Sequence, residues 1–233
     1  MSKLKRLKAP KFWKLPKKSR KWAVSPRPGP HRKFESIPLA IVLRDIIKIA
    51  ETGGEAKKII KMGEVLVDGK IRRDHKYPAG LMDAISIPKM EKYFRVVSSS
   101  KGLELVEIDK KESEEKICRI NDKTVVKKGK VQLNLHDGRS LVVDKDAYKT
   151  GDSILIELPS QKIKNHVKLE KDNLGLIIRG KNKGSLVNIK EIIITKGKEP
   201  NKVICEMEKK PIEVLEDYIL IVGKDSPLIK ISG

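Results

Sequence analysis

Carboxylates are missing from the first 34 residues of this 233-residue chain, and the first to appear is Glu35. The same stretch holds thirteen cations: Lys3, Lys5, Arg6, Lys8, Lys11, Lys14, Lys17, Lys18, Arg20, Lys21, Arg27, Arg32 and Lys33. It supplies 13 of the formal net charge of +21, which leaves +8 for everything after it. Charge this one-sided calls for a polyanionic partner, either nucleic acid or an anionic membrane surface. Cysteine is nearly absent. Cys118 and Cys205 are too few for a disulfide framework and fit a reducing cytosol. Aromatics make up 4% of the chain, so any core is built mainly from Ile, Val and Leu. No run of eighteen apolar residues occurs, which excludes a transmembrane helix. The basic N-terminus has no apolar stretch behind it, which excludes a secretory signal.

What is present divides along the chain. Residues 1–36 read as an extended basic arm, broken by Pro10, Pro16, Pro26, Pro28 and Pro30. The arm is expected not to fold alone, because it buries too little apolar surface to offset the entropy of ordering. Yet it holds four of the nine aromatics, Phe12, Trp13, Trp22 and Phe34. Cations make phosphate contacts, and flat aromatics stack on bases or dock in apolar crevices. Trp13, Trp22 and His31 therefore join the thirteen cations as expected RNA contacts. An arm that penetrates RNA and orders on binding is favoured over a merely solubilising tail. The prolines rule against an amphipathic helix on a membrane.

Residues 37–97 form the first folded module. Pro38 opens a helix, and Leu39, Val42, Leu43, Ile46, Ile47 and Ala50 fall on one face of about three turns. Gly53-Gly54 stops it. Thr52 and Glu55 have capping-box spacing for a second short helix, with Ala56, Ile59 and Ile60 on its apolar side. Lys57, Lys58 and Lys61 lie on the other side. Val65–Val67, an Asp68-Gly69 turn and Lys70-Ile71 make a hairpin, followed by Arg72 and Arg73. Pro78, Gly80 and Asp83 mark a further turn before an apolar strand at Ala84–Ile87. Two short helices, Gly63-x-Val-x-Val-Asp-Gly-Lys70 and then Pro78-x-Gly-x-x-Asp83 resemble the small RNA-binding S4 domain over about fifty residues. That resemblance implies that Lys57, Lys58, Lys61, Lys70, Arg72 and Arg73 face phosphates.

From about residue 91 the apolar period becomes two. Strands are expected at Tyr93–Val97, Leu103–Ile108, Lys116–Ile120, Val131–Leu135, Leu141–Asp144 and Ile154–Leu158, with a hairpin bend at Asp137-Gly138. Residues 98–173 thus read as a central β-barrel-like domain. Its charge is nearly balanced, with 16 cations and 14 anions, which suits a spacer or a protein-docking body. Lys127, Lys128 and Lys130 are the local exception. In residues 174–233, Leu174–Ile178 leads into Arg179-Gly180-Lys181-Asn182-Lys183-Gly184 and returns at Leu186-Val187. This resembles the KOW motif of small SH3-like barrels. Arg179, Lys181 and Lys183 would neutralise phosphates there, and Asn182 would donate hydrogen bonds. Val203–Met207, Ile212–Leu215 and Tyr218–Val222 close the barrel.

The motif order carries a wider resemblance. Ala9-Pro10-Lys11-Phe12-Trp13, Arg27-Pro28-Gly29-Pro30-His31, Tyr77–Asp83, Gln132–Ser140, Tyr148–Ser153, the Gly180–Gly184 loop and Asp217–Gly223 resemble the archaeal and eukaryotic S4e family of small-subunit ribosomal proteins, end to end. The resemblance implies an α+β, multi-module ribosomal protein that binds small-subunit ribosomal RNA beside other ribosomal proteins. It implies a monomer within the cytoplasmic ribosome, with no membrane and no small-molecule substrate. The Lys/Glu/Ile-rich composition fits the archaeal branch.

A search for chemistry points the same way. His31, His75, His136 and His166 are far apart, and none has metal-ligand spacing with another or with a cysteine. Both cysteines sit in apolar strand-like runs and read as small apolar residues. Nothing requires a cofactor or a metal. An RNA-modifying enzyme or a tRNA synthetase fragment would also use an S4-type module, but residues 98–233 show no glycine-rich βαβ unit and no catalytic aspartate in a recognisable context. A free KOW-type elongation or ribosome-rescue factor is the remaining alternative. A structural RNA-binding protein is the reading these residues favour.

Overall fold

The computed structural model describes residues 4–13, 15–16, 21–144, 146–195, 197, 199–207 and 209–231. The chain divides into two units. One takes in the described residues up to Val97 together with Leu103–Glu114, and the other Ser98–Gly102 with Glu115–Ile231. The protein is mostly strand with few helices. Among the described residues no helix is long and apolar enough to cross a membrane.

In the first unit, β1 (Leu4–Lys5) pairs antiparallel with β2 (Trp22–Ala23), Leu4 opposite Ala23 and Lys5 opposite Trp22. The described part of the arm therefore has structure of its own, where sequence predicted extended chain. Leu4, Ala9, Trp13 and Leu15 are buried in one aliphatic core with Ile37, Leu39, Ile41, Leu43, Ile60, Val67 and Ile85. Each large side chain buried there gains roughly 1.5–3 kcal/mol, so a few anchors offset much ordering entropy once a core exists to receive them.

Strand β3 (Ser36–Pro38) leads into α1 (Leu39–Ile41), which continues as a π-helical stretch over Val42–Ile46. The Ile47 amide donates to the Val42 carbonyl across five residues at 2.9 Å. Sequence predicted an ordinary three-turn helix here. Leu39–Leu43 are buried in an unbroken run, so burial on every side overrides the single apolar face that an α-helical period describes. Helix α2 (Gly53–Lys61) starts at the expected capping box, with the Glu55 amide donating to Thr52 Oγ1 at 3.2 Å. Strands β4 (Leu66–Val67) and β5 (Lys70–Ile71) flank a turn with φ of 52° at Asp68 and 71° at Gly69, the geometry that Asp-Gly favours. Strand β6 (Pro78–Gly80) pairs with β3. Strands β7 (Ala84–Ile87), β8 (Lys92–Ser99) and β9 (Gly102–Glu107) complete a sheet of order β5-β4-β7-β8-β9. A single helical turn, α3 (Lys110–Ser113), follows.

The second unit is built from two five-stranded antiparallel sheets. Strand β10 (Glu115–Val125) is shared by two partners, with a register shift between Ile120 and Asp122. Its first part pairs with β13 (Ser153–Glu157) and its second with β11 (Val131–Leu135). With β12 (Ser140–Val143) and β14 (Ile163–Val167) the order is β12-β11-β10-β13-β14. The other sheet runs β18-β17-β16-β15-β19, from β15 (Leu174–Ile177), β16 (Leu186–Ile193), β17 (Lys202–Met207), β18 (Lys210–Leu215) and β19 (Ile219–Gly223). Ile177, Val187, Ile189, Val203, Cys205, Ile219 and Ile221 form its core.

Candidate nucleic-acid interface

Helix α2 sets the first group of cations. Ala56 and Ile60 are buried, so Lys57, Lys58 and Lys61 turn to solvent. The cap fixes where the helix begins and hence which residues face out. The amides of Glu51 and Thr52 hold the Glu55 carboxyl below the usual carboxylate range, so the cap stays anionic. Lys70 and Arg73 are also exposed, on and just after β5. Arg72 is half-buried, with its guanidinium carbon 4.4 Å from the centroid of the Tyr77 ring. Its Nε has no hydrogen-bond partner among the described residues.

His75 reports the local field. Burial lowers its pKa first, and Lys57 then lowers it further, joined by Lys76 and Arg27, while Asp74 opposes them. Arg27 and His75 both lie against Asp74, at 3.2 and 3.7 Å. The Arg27 amide donates to the Lys76 carbonyl at 3.0 Å. Lys76 and His75 were not expected at this site. Neither has a sequence pattern of its own, and only the packing of the arm's base beside this loop brings them in.

In the arm, Lys5, Lys8, Lys11, Lys21, Arg27, Arg32 and Lys33 are exposed. Trp22 is 43% exposed, with Lys21 Nζ 5.6 Å from its ring centroid and Lys5 opposite it in register. Phe34, also not expected as a site residue, is open to solvent with Lys33 Nζ 5.6 Å from its ring. The sequence signal for it is its position next to Arg32 and Lys33. Lys3, Lys14, Lys17, Lys18 and Arg20 lie outside the described residues.

Two expected contacts, Trp13 and His31, are occupied within the protein, and a third, Arg6, is partly so. Trp13 is fully buried, and its Nε1–H donates to the Ser36 carbonyl at 2.9 Å. His31 Nε2 lies 3.1 and 3.0 Å from the two Asp83 carboxylate oxygens, with both side chains nearly enclosed. A Cβ on Gly80 would run into the His31 ring, so glycine there is what lets the imidazole reach Asp83. Arg6 donates Nε to the Pro16 carbonyl at 3.2 Å and Nη2 to that of Leu15. These groups hold the arm's shape.

In the second unit the loop between β15 and β16 is closed by the Gly184 amide donating to the Ile177 carbonyl at 2.7 Å. Arg179 and Lys181 are exposed on it, while Asn182 and Lys183 are half-buried. Lys130 pairs with Asp144 at 2.8 Å. Both cysteines are buried, and burial pushes the Cys205 thiol up to about 11, which makes it a poor nucleophile. His136 Nδ1 accepts from the Arg119 amide at 3.2 Å, so its partner is on strand β10 and not within its own hairpin.

Exposed cations and aromatics on the arm, with further exposed cations on a small helix-and-hairpin unit, in a chain otherwise built of antiparallel sheets, define a class of basic, polyanion-binding proteins. Family models match along the chain: the RS4NT domain over residues 2–33, the S4 domain over 37–85 and ribosomal family S4e over 90–163. The chain is 44% identical to the small ribosomal subunit protein eS4 of Archaeoglobus fulgidus, over 97% of this chain and 96% of that one. It is 46% identical to that of Methanosphaera stadtmanae, over 99% and 95%. The crystal structure of 30S ribosomal protein S4e from Thermoplasma acidophilum superposes with a TM-score of 0.71 at 26% identity, covering 82% of this chain and 96% of that one. The chain belongs to the ribosomal S4e family.

Proposed function

We propose that the protein is a structural constituent of the small subunit of the cytoplasmic ribosome. It binds and stabilises small-subunit ribosomal RNA and so contributes to subunit assembly and translation. The observation that carries this reading is the set of exposed cations Lys57, Lys58, Lys61, Lys70 and Arg73 on the helix and hairpin that the S4 domain model matches. Its work is differential binding. RNA helices brought together repel through their phosphates, and fixed cations between them favour the folded arrangement.

In detail, the exposed arm cations and Trp22 grip RNA. Lys57, Lys58, Lys61, Lys70, Arg72 and Arg73 dock a second segment. Arg179, Lys181, Asn182 and Lys183 supply a third contact from a KOW-type loop. This assignment of roles follows the division 1–36, 37–97, 98–173 and 174–233 expected from the sequence, with the difference that Leu103–Glu114 clusters with the first unit. The shared strand β10 suits a barrel-like central module, and the last sheet suits an SH3-like one. The S4e family is not a class of enzymes, and this chain is read as non-catalytic, monomeric and flanked by other small-subunit proteins.

A salt titration against refolded archaeal small-subunit RNA tests the reading. Six to ten phosphate contacts cost about three to five decades of affinity between roughly 50 and 200 mM salt. A flat dependence would overturn it. Co-sedimentation separates an integral protein, which stays with the subunit in high salt, from a factor, which washes off.

A further inference from the structure

Met62 and Ile71 are large apolar side chains left in the open, 58% and 52% exposed. They flank Gly63, which takes a φ of +79° at the end of α2. A Cβ at Gly63 would lie 3.1 Å from Ile71 Cγ2 and 3.4 Å from an Arg73 guanidinium nitrogen. Hairpin and helix end therefore meet at Gly63 and Ile71, and Met62 is the next residue along the chain from that contact. Lys58 precedes Met62 by four residues on α2, Lys61 and Lys70 are the chain neighbours of Met62 and Ile71, and the Arg73 guanidinium lies at Gly63; these four are exposed, and none forms an ion pair with a described carboxylate. The acid closest in sequence, Glu64, is held by Lys89 at 2.6 Å.

Exposed apolar side chains bordered by exposed cations select their occupant. An apolar protein face would strip water from the ammonium groups and return nothing. RNA offers both halves of the match. Its phosphates suit the cations, while its wide shallow groove shows ribose and base edges that apolar side chains can cover. We propose that Met62 and Ile71 make an apolar contact with RNA, seated against sugar and base edges while the bordering cations hold the flanking phosphates. This rests on the ribosomal RNA-binding reading and gives it a part that does not depend on salt.

The test uses the full chain and refolded archaeal small-subunit RNA. Met62→Lys and Ile71→Lys each add a cation, so a purely electrostatic surface would bind more tightly and with a steeper salt dependence. The apolar contact requires the opposite: each substitution weakens binding about tenfold, the pair more so, and Ile71→Leu stays close to the parent. Thermal melts should be unchanged, because both side chains are exposed. Equal or tighter binding by the lysine variants overturns the inference. So does unchanged RNA binding with poorer incorporation into subunits, which would assign the patch to a protein neighbour. A Lys58→Ala/Lys61→Ala/Lys70→Ala variant serves as the control. If it loses affinity while the lysine insertions do not, only the apolar contact fails. If it also leaves affinity and salt slope untouched, the RNA-binding reading of this face fails as well.

Discussion

The Trp13 indole is closed in among aliphatic side chains and gives its N–H to the Ser36 carbonyl, whereas the Trp22 ring lies open beside Lys21. Trp13→Ala should therefore cost roughly 3–5 kcal/mol of stability, read as a lower denaturation midpoint. Trp22→Ala should leave the midpoint in place and weaken RNA binding by about 1–3 kcal/mol, read by filter binding. In sequence the two tryptophans look alike, because both sit among lysines. The distinguishing signal was the apolar company of Trp13. Phe12 meets it edge-on at 6.4 Å, and Leu15 follows. A second residue-scale consequence concerns Asp137. Burial alone would raise its carboxyl, but the Lys116 ammonium at 2.8 Å, with His136 and Arg139, holds it well below the usual carboxylate range. A carboxylate depressed on folding adds stability that is complete above its unfolded pKa of about 3.9 and is lost as pH falls through the folded value. Asp137→Asn removes the anion 2.8 Å from the buried Lys116 ammonium and should cost about 1.5–3 kcal/mol at pH 7. Urea unfolding of both proteins should show that difference shrinking as pH drops below about 4.

At the scale of elements, α2 depends on its first turn. Glu55 accepts from the amides of Glu51 and Thr52 while Thr52 caps its amide, so one threonine sets the register in which three lysines face outward. Thr52→Ala should cost about 1 kcal/mol, seen as a lower melting temperature, and should weaken RNA binding as the helix start frays. Elements like this were legible because their cause is local. The Thr52/Glu55 spacing, the Asp68-Gly69 turn and the alternation along Val131–Leu135 each lie within a few residues. What was not legible has its cause elsewhere. Strand β14 carries Lys164-Asn165-His166 between apolar ends, so its extended state comes from pairing with β13 rather than from any period of two. The π-helical stretch answers to burial on all sides, which no helical wheel contains. Of the candidate site, the cations were readable as composition. That Arg27 and His75 share Asp74 required the arm's base to be packed beside the Asp74–Lys76 loop.

At the scale of the molecule, the arm joins two jobs that its composition reports as one. Its cations face solvent, but Leu4, Ala9, Trp13 and Leu15 belong to the same core as Ile37 and Ile60. Deleting residues 1–34 would remove phosphate-binding cations and core packing together, so loss of RNA binding by such a truncation would prove little. Separating the two jobs takes substitutions that touch only one. Lys5, Lys8, Lys11 and Lys21 are exposed, and replacing all four by Gln leaves the buried anchors intact. The melting temperature should then hold, while the slope of log affinity against log salt falls by about 0.7–0.9 for each phosphate no longer neutralised. The truncation should show the same fall in slope and also a melt lowered by several kcal/mol of missing apolar burial, on the order of 1.5–3 for each large side chain. If the four-glutamine protein keeps the full slope, the arm's charge does not reach RNA and the gripping surface lies with α2 and the hairpin. If the truncation melts with the parent, the arm's anchors hold no core together, and its order must come from RNA after all.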